Sequence, residues 1–157
     1  MSAAPAFPRF TVELADGYAI DTDPARLDLA QVHEWLSGDA YWARGRSAAT
    51  VASAAAHSLN LGVYAPDGRM VGYGRIVSDG ATFGWLCDVY IAPEARGHGL
   101  GTAIARAAAD YARERGLSRL MLATADAHGV YARAGFAVVE QPDMLMLLGG
   151  AGASPRR

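Results

Sequence analysis

Residues 86–102 read Leu86-Cys-Asp-Val-Tyr-Ile-Ala-Pro93-Glu-Ala-Arg96-Gly97-His98-Gly99-Leu100-Gly101-Thr102. An apolar, alternating run stops at a proline, and alternate glycines then lead into the alanine-rich stretch that ends at Arg115. This spells strand, turn, helix. A helix start leaves its first N–H groups unpaired and carries partial positive charge. Glycines just before it let a ligand approach the backbone closely. The combination suits an anion such as a pyrophosphate, with Arg96 adding a full charge and His98 a further donor. Other phosphate loops fit less well. The spacing is Gly97-x-Gly99-x-Gly101 rather than G-x-G-x-x-G, and no G-K-[ST] follows. The turn also lies two-thirds along the chain, not after the first strand as a dinucleotide fold requires.

Downstream, Leu100, Ile104, Ala108 and Tyr111 share one face of a helix over 99–115, which Gly116 ends. Arg119–Ala123 is a short strand, parallel to the one before the loop by crossover logic. A short helix is expected from Asp126 to Arg133, then strands over Gly135–Val139 and Met144–Leu148. Upstream, Phe10–Leu14 and Tyr18–Ile20 read as strands around Asp16-Gly17. Asp23-Pro24 opens a helix reaching Leu36, with Leu29, Val32 and Leu36 on one face. An aromatic and basic loop, Tyr41–Arg46, precedes a helix from Ser47 to about His57. Leu59–Ala65 and Met70–Val77 pair through Pro66-Asp67-Gly68, and Thr82–Ile91 is a long third strand.

The 157 residues suit one domain, expected over 9–148 between flexible ends at 1–8 and 149–157. A net charge of -2 gives no basic footprint for nucleic acid and no attraction to a membrane surface. The single cysteine, Cys87, excludes an internal disulfide. Met1–Pro8 lacks the pattern of a secretory signal, and no run is long enough to span a bilayer. The expectation is a cytoplasmic protein. His33, His57 and His98 have no metal-ligand spacing, so no metal is expected.

Arg96-x-x-Gly99-x-Gly101 after Val89-Tyr90-Ile91-x-Pro93, joined by Tyr131-Ala-Arg-Ala-Gly135-Phe136, resembles the signature of the Gcn5-related N-acetyltransferases, the GNAT superfamily. The motifs cover residues 82–140, and the element order covers nearly the whole chain. The resemblance implies an α/β (α+β) domain. Its central sheet would be mixed, mostly antiparallel and twisted, with six to seven strands splayed between the fourth and fifth and about four flanking helices. It implies acetyl-CoA as cofactor, with Val89, Tyr90 and Ile91 along the pantetheine arm. Arg96, Gly97, His98, Gly99, Leu100, Gly101 and Thr102 would take the pyrophosphate. Tyr131 would protonate the leaving thiolate, and the partner would be a small-molecule or peptide amine. A homodimer is also expected, since dimers are common in the family.

Two positions depart from the family pattern. Trp85 stands where many members carry a glutamate base. The segment before Tyr131 lacks the usual asparagine, for which Asp126 or Thr124 can substitute. The base is therefore open between Asp88, Asp126, His128 and water. Trp35, Tyr41, Trp42 and Arg44 form one expected wall of an acceptor groove, with Phe83, Trp85 and His128 on the other side. Cys87 reads as a packed strand residue. A non-catalytic acyl-CoA sensor is the competing reading, favoured by the missing glutamate and opposed by Tyr131.

Overall fold

The computed structural model describes residues 7–149. Of the flexible ends expected at 1–8 and 149–157, all but residues 7, 8 and 149 lie outside the described residues. Six strands pair in chain order: β1 (Thr11–Glu13), β2 (Ala19–Asp21), β3 (Leu59–Tyr64), β4 (Met70–Ser78), β5 (Phe83–Ile91) and β6 (Arg119–Met121). Every pairing is antiparallel except β5–β6. The parallel step requires a crossover, which helix α3 (Leu100–Arg115) supplies. Helices α1 (Leu29–Gly38), α2 (Ala48–Ala56) and α4 (His128–Ala132) complete the domain.

The helices sandwich the sheet. Leu100, Ile104, Ala108 and Tyr111 of α3 pack with Leu61, Val63 and Leu86. Val32 and Leu36 of α1 and Val51 of α2 pack with Tyr64, Tyr73 and Tyr90. Val89 and Ile91 join the first cluster and Tyr90 the second, the alternation of one strand between two layers. Ile104 is fully buried, worth about 1.5–3 kcal/mol of apolar transfer. It sits so close over β4 that a Cβ at Gly74 would lie 3.1 Å from its Cγ2. Gly74 thus lets α3, and the loop that starts it, lie tight on the sheet.

Four expectations are corrected. The helix opening at Asp23-Pro24 divides into a 3-10 turn, Pro24–Arg26, and α1, which starts at Leu29. Asp23 accepts from Ala25 N and Asp28 from Gln31 N, so two successive caps break one helix into two. The short helix begins at His128, two residues later than Asp126. The strands over Gly135–Val139 and Met144–Leu148 do not form. Gly135, at φ 98, turns the chain, Pro142 opens a 3-10 turn, and Val138, Met146 and Leu148 are left exposed. Finally, the divergence lies between the fifth and sixth strands in chain order. Strands β4 and β5 stay paired from Ser78↔Gly84 to Gly72↔Ile91, whereas β5 and β6 pair only from Phe83↔Arg119 to Trp85↔Met121.

Candidate active site

The loop between β5 and α3 has the geometry of an anion cradle. Ala92 N donates to Val71 O and fixes the end of β5, and a 3-10 turn at Pro93–Ala95 swings the chain over. Gly97 and Gly99 take positive φ, 88° and 70°, which only glycine adopts without penalty. Helix α3 then begins at Leu100 with no side-chain cap. Ala103 N is the first to bond back, to Gly99 O at 3.0 Å. Among the described residues, the N–H groups of Gly97 through Thr102 donate to no protein acceptor. They form a row of donors at the positive end of a 16-residue helix. Arg96 arches over the strand end, donating from Nε to Ile91 O at 3.0 Å. The His98 ring lies 5.1 Å from that of Tyr18.

Beyond Trp85↔Met121 the two parallel strands part, and a cavity of about 620 Å³ opens between them. Tyr90 pairs with Tyr73 and Ala92 N bonds β4, so alternation turns the backbone groups of Val89 and Ile91 toward the opening. Trp85, Cys87 and Val89 line it from β5, and Ala123–Ala127 and Tyr131 from the far side. Tyr131 is half-buried, edge-on to Phe136 at 6.0 Å. Burial pushes its pKa up, helped by Tyr41 and the Asp126 charge, so the phenol stays protonated at neutral pH. Burial likewise pushes the Cys87 thiol up to about 11, the wrong direction for a thiolate nucleophile.

The floor of the cavity is a buried ion cluster. Two residues of β5, Asp88 and Val89, stand opposite Gly74 of β4, and Asp88 has φ 54. This bulge resets the strand's alternation and directs Asp88 away from the α3 side, where Leu86 points. Its Oδ2 accepts from Arg46 Nη1 at 2.6 Å and Arg75 Nε at 2.7 Å, and its Oδ1 from Trp42 Nε1 at 3.0 Å. Burial alone would raise its pKa, but the hydrogen bonds and charges of the two arginines outweigh that and hold the carboxyl below the usual range. A carboxylate so paired is a poor proton acceptor. Asp88 anchors the bulge through these three bonds.

The other expected residues divide clearly. Tyr41 and Trp42 line the cavity, their rings edge-to-face at 5.0 Å. Trp35 does not; it stacks on Tyr90 at 5.6 Å in the second core cluster. Arg44 is exposed and outside the cavity, while Arg46, two residues on, lines it. Phe83 is exposed at the start of β5 and lines neither cavity. Trp85 borders both this cavity and a second, apolar one of about 640 Å³ on the outer side of β6, where His128 lies. Asp126 lines the first cavity, and it does not cap α4. Thr124 Oγ1 does accept from Ala127 N. Tyr90 directs its hydroxyl at Asp39, away from the cavity. Arg46 and Arg75 are the residues that sequence reasoning missed. The available signal was an arginine inside an otherwise apolar strand, which demands a buried partner. Among the described residues, no His/Cys/Asp/Glu group could hold a metal ion and no helix is long and apolar enough to cross a membrane.

Comparison with known proteins agrees with this fold. The family model described as the acetyltransferase (GNAT) family matches residues 29–136. A Xanthomonas campestris protein, whose crystal structure is described as a GNAT-family acetyltransferase, is 41% identical. The match covers 86% of this chain and 94% of that one, with a TM-score of 0.79. A Gibberella zeae protein named as an acetyltransferase is 33% identical over 102 residues, 54% of this chain. The match spans 58% of that curated relative's length. A Mycobacterium tuberculosis protein solved in complex with CoA shares the fold at 23% identity, TM-score 0.61, over 83% of this chain and 73% of that one.

Proposed function

The chain belongs to the acetyltransferase (GNAT) family, and on that premise we propose that it moves an acetyl group from acetyl-CoA to a primary amine of a small molecule or peptide. One observation carries this reading. Strands β5 and β6 part beyond Trp85↔Met121 into a cavity that Tyr131 lines, and β5 runs on from that cavity to the loop whose free N–H groups precede α3. The pyrophosphate of acetyl-CoA would lie on Gly97–Thr102, with Arg96 and His98 beside it. The pantetheine amides would pair with the backbone of Val89 and Ile91, as an added strand does. The thioester then reaches the cavity. The amine lone pair attacks the thioester carbon, a C–N bond forms, and the C–S bond breaks. Backbone N–H groups near the bulge stabilise the oxyanion. Sulfur takes a proton from Tyr131, and the amine's proton leaves to water or to Asp126. The paired state of Asp88 supports leaving it out of that step, and His128, unlike Asp126, does not line the first cavity.

Turnover is the test. With purified protein, acetyl-CoA and a broad amine panel, free CoA thiol is expected to appear together with acetylated amine. Saturable acetyl-CoA binding with no thiol release on any amine would instead favour a non-catalytic sensor.

We also infer a homodimer. Among the described residues strand β6 pairs on one side only, a free edge of the kind proteins cover. Beside it lie the apolar second cavity and a run of bare side chains, with Val138 77%, Met146 98% and Leu148 96% exposed. Exposed large apolar side chains of this kind suit an interface, and a second copy presenting the same segment would cover them symmetrically. Light scattering is expected to give a dimer, and the Met146→Lys, Leu148→Lys double variant a monomer. A wild-type monomer at all concentrations contradicts it.

A further inference from the structure

We propose that the acceptor amine carries a carboxylate, held on the floor of the cavity by Arg46 and Arg75. This rests on the acyl-transfer reading and narrows its substrate. Arg46, Arg75 and Asp88 all line the cavity, so two fixed cations meet one paired anion there. Arginine does not deprotonate, so the surplus positive charge persists at any working pH. Asp88 is fully committed: its Oδ2 takes Arg46 Nη1 and Arg75 Nε, and its Oδ1 takes Trp42. Arg75 Nη1 goes to Ser58 Oγ at 3.2 Å. That leaves Nη2 of Arg75 and both Nε and Nη2 of Arg46 without a protein acceptor among the described residues. These side chains are only 15% and 22% exposed, so a carboxylate docking there is largely desolvated and strongly held.

The rest of the cavity is consistent with this. Its other acid, Asp126, stands near Tyr131, where its charge is felt by the phenol. The space is therefore positive at the bulge and negative beside Tyr131. A molecule with a carboxylate at one end and an ammonium at the other matches that polarity, and its amine lies at the reacting end. Trp42 joins the two halves. Its indole N–H is fixed on Asp88, and its ring, with Tyr41, gives the stem an apolar wall.

The test compares free amino acids and dipeptides with their own C-terminal carboxamides as acceptors, using thiol release from acetyl-CoA. An added charge-assisted contact is worth about 1.5–3 kcal/mol, so the acids are expected to exceed the amides by roughly 10- to 100-fold in kcat/KM. Arg46→Gln is expected to abolish that preference by raising KM for the acids, with the KM for acetyl-CoA unchanged, and Arg46→Lys to restore part of it. A melting curve for each variant separates lost recognition from lost folding. Amides used as well as acids, or an unchanged preference in Arg46→Gln, would overturn the proposal. If no amine turns over, the acyl-transfer reading is what has failed. Calorimetry of acids against amides, with the protein saturated in CoA, then decides the carboxylate site by itself: tighter binding of acids supports it and equal binding overturns it.

Discussion

Asp88→Ala is expected to destabilise the protein by about 3–5 kcal/mol, the range for removing one partner from a buried charge cluster. In a domain of this size that lowers Tm by roughly 6–20 °C. Two guanidiniums lose their shared counter-ion, and Trp42 loses its acceptor. Alanine must also adopt the left-handed backbone that aspartate tolerates at φ 54. Both arginines border the cavity and keep some access to water, which favours the lower end of the range. Asp88→Asn separates charge from conformation, since asparagine also tolerates this backbone. The pH dependence has a definite sign. The folded-state pKa of Asp88 is depressed, so its contribution is complete above the unfolded value of about 3.9 and is lost as pH falls through the folded value. The stability gap between wild type and Asp88→Asn should therefore narrow below about pH 4. An unchanged Tm for Asp88→Ala would contradict the clamp. Full stability with activity abolished in Asp88→Asn would return Asp88 to the role of base.

Tyr131→Phe should leave the fold intact and slow the reaction. Among the described residues the hydroxyl makes no hydrogen bond, so its loss costs little stability and relieves a partly desolvated group. The catalytic loss is bounded by the phenol's own chemistry. A positioned general acid contributes about 10²–10⁴-fold. The raised pKa of Tyr131 lies above that of a free thiol, about 8.5, so proton transfer to sulfur is not strongly driven. The low end follows: kcat is expected to fall about 10²-fold, with the KM for acetyl-CoA nearly unchanged, since the proposed contacts to the cofactor lie on the loop and strand. Rates equal to wild type would remove Tyr131 from the mechanism.

The loop between β5 and α3 could be read from sequence because local rules determine it. Glycines at 97 and 99 specify a backbone that other residues resist, and Gly99 sits at the start of a helix whose periodicity is plain. The floor of the cavity could not be, because it is assembled from distant segments. Arg46, Arg75 and Asp88 are 29 and 13 positions apart in sequence, and a one-residue bulge decides that Asp88 faces the two arginines. Alternation alone would send it to the opposite face. Arg44 and Arg46 differ by two positions in a loop without periodicity, so which of them lines the cavity is a matter of loop geometry. The C-terminal strands failed for another reason. The pattern at Val138–Leu148 is strand-like, but a strand requires a partner for its backbone groups, and composition does not say which chain provides it.

The central claim is that the gap between β5 and β6 carries a thioester to an amine. Parallel quantification of CoA thiol and acetylated amine, from one reaction mixture of wild-type protein with acetyl-CoA and a free amino acid acceptor, tests it most directly. Equal amounts of the two products, rising together and only when protein, acetyl-CoA and amine are all present, are the predicted result. Acetyl-CoA binding with neither product formed on any amine tried would contradict it.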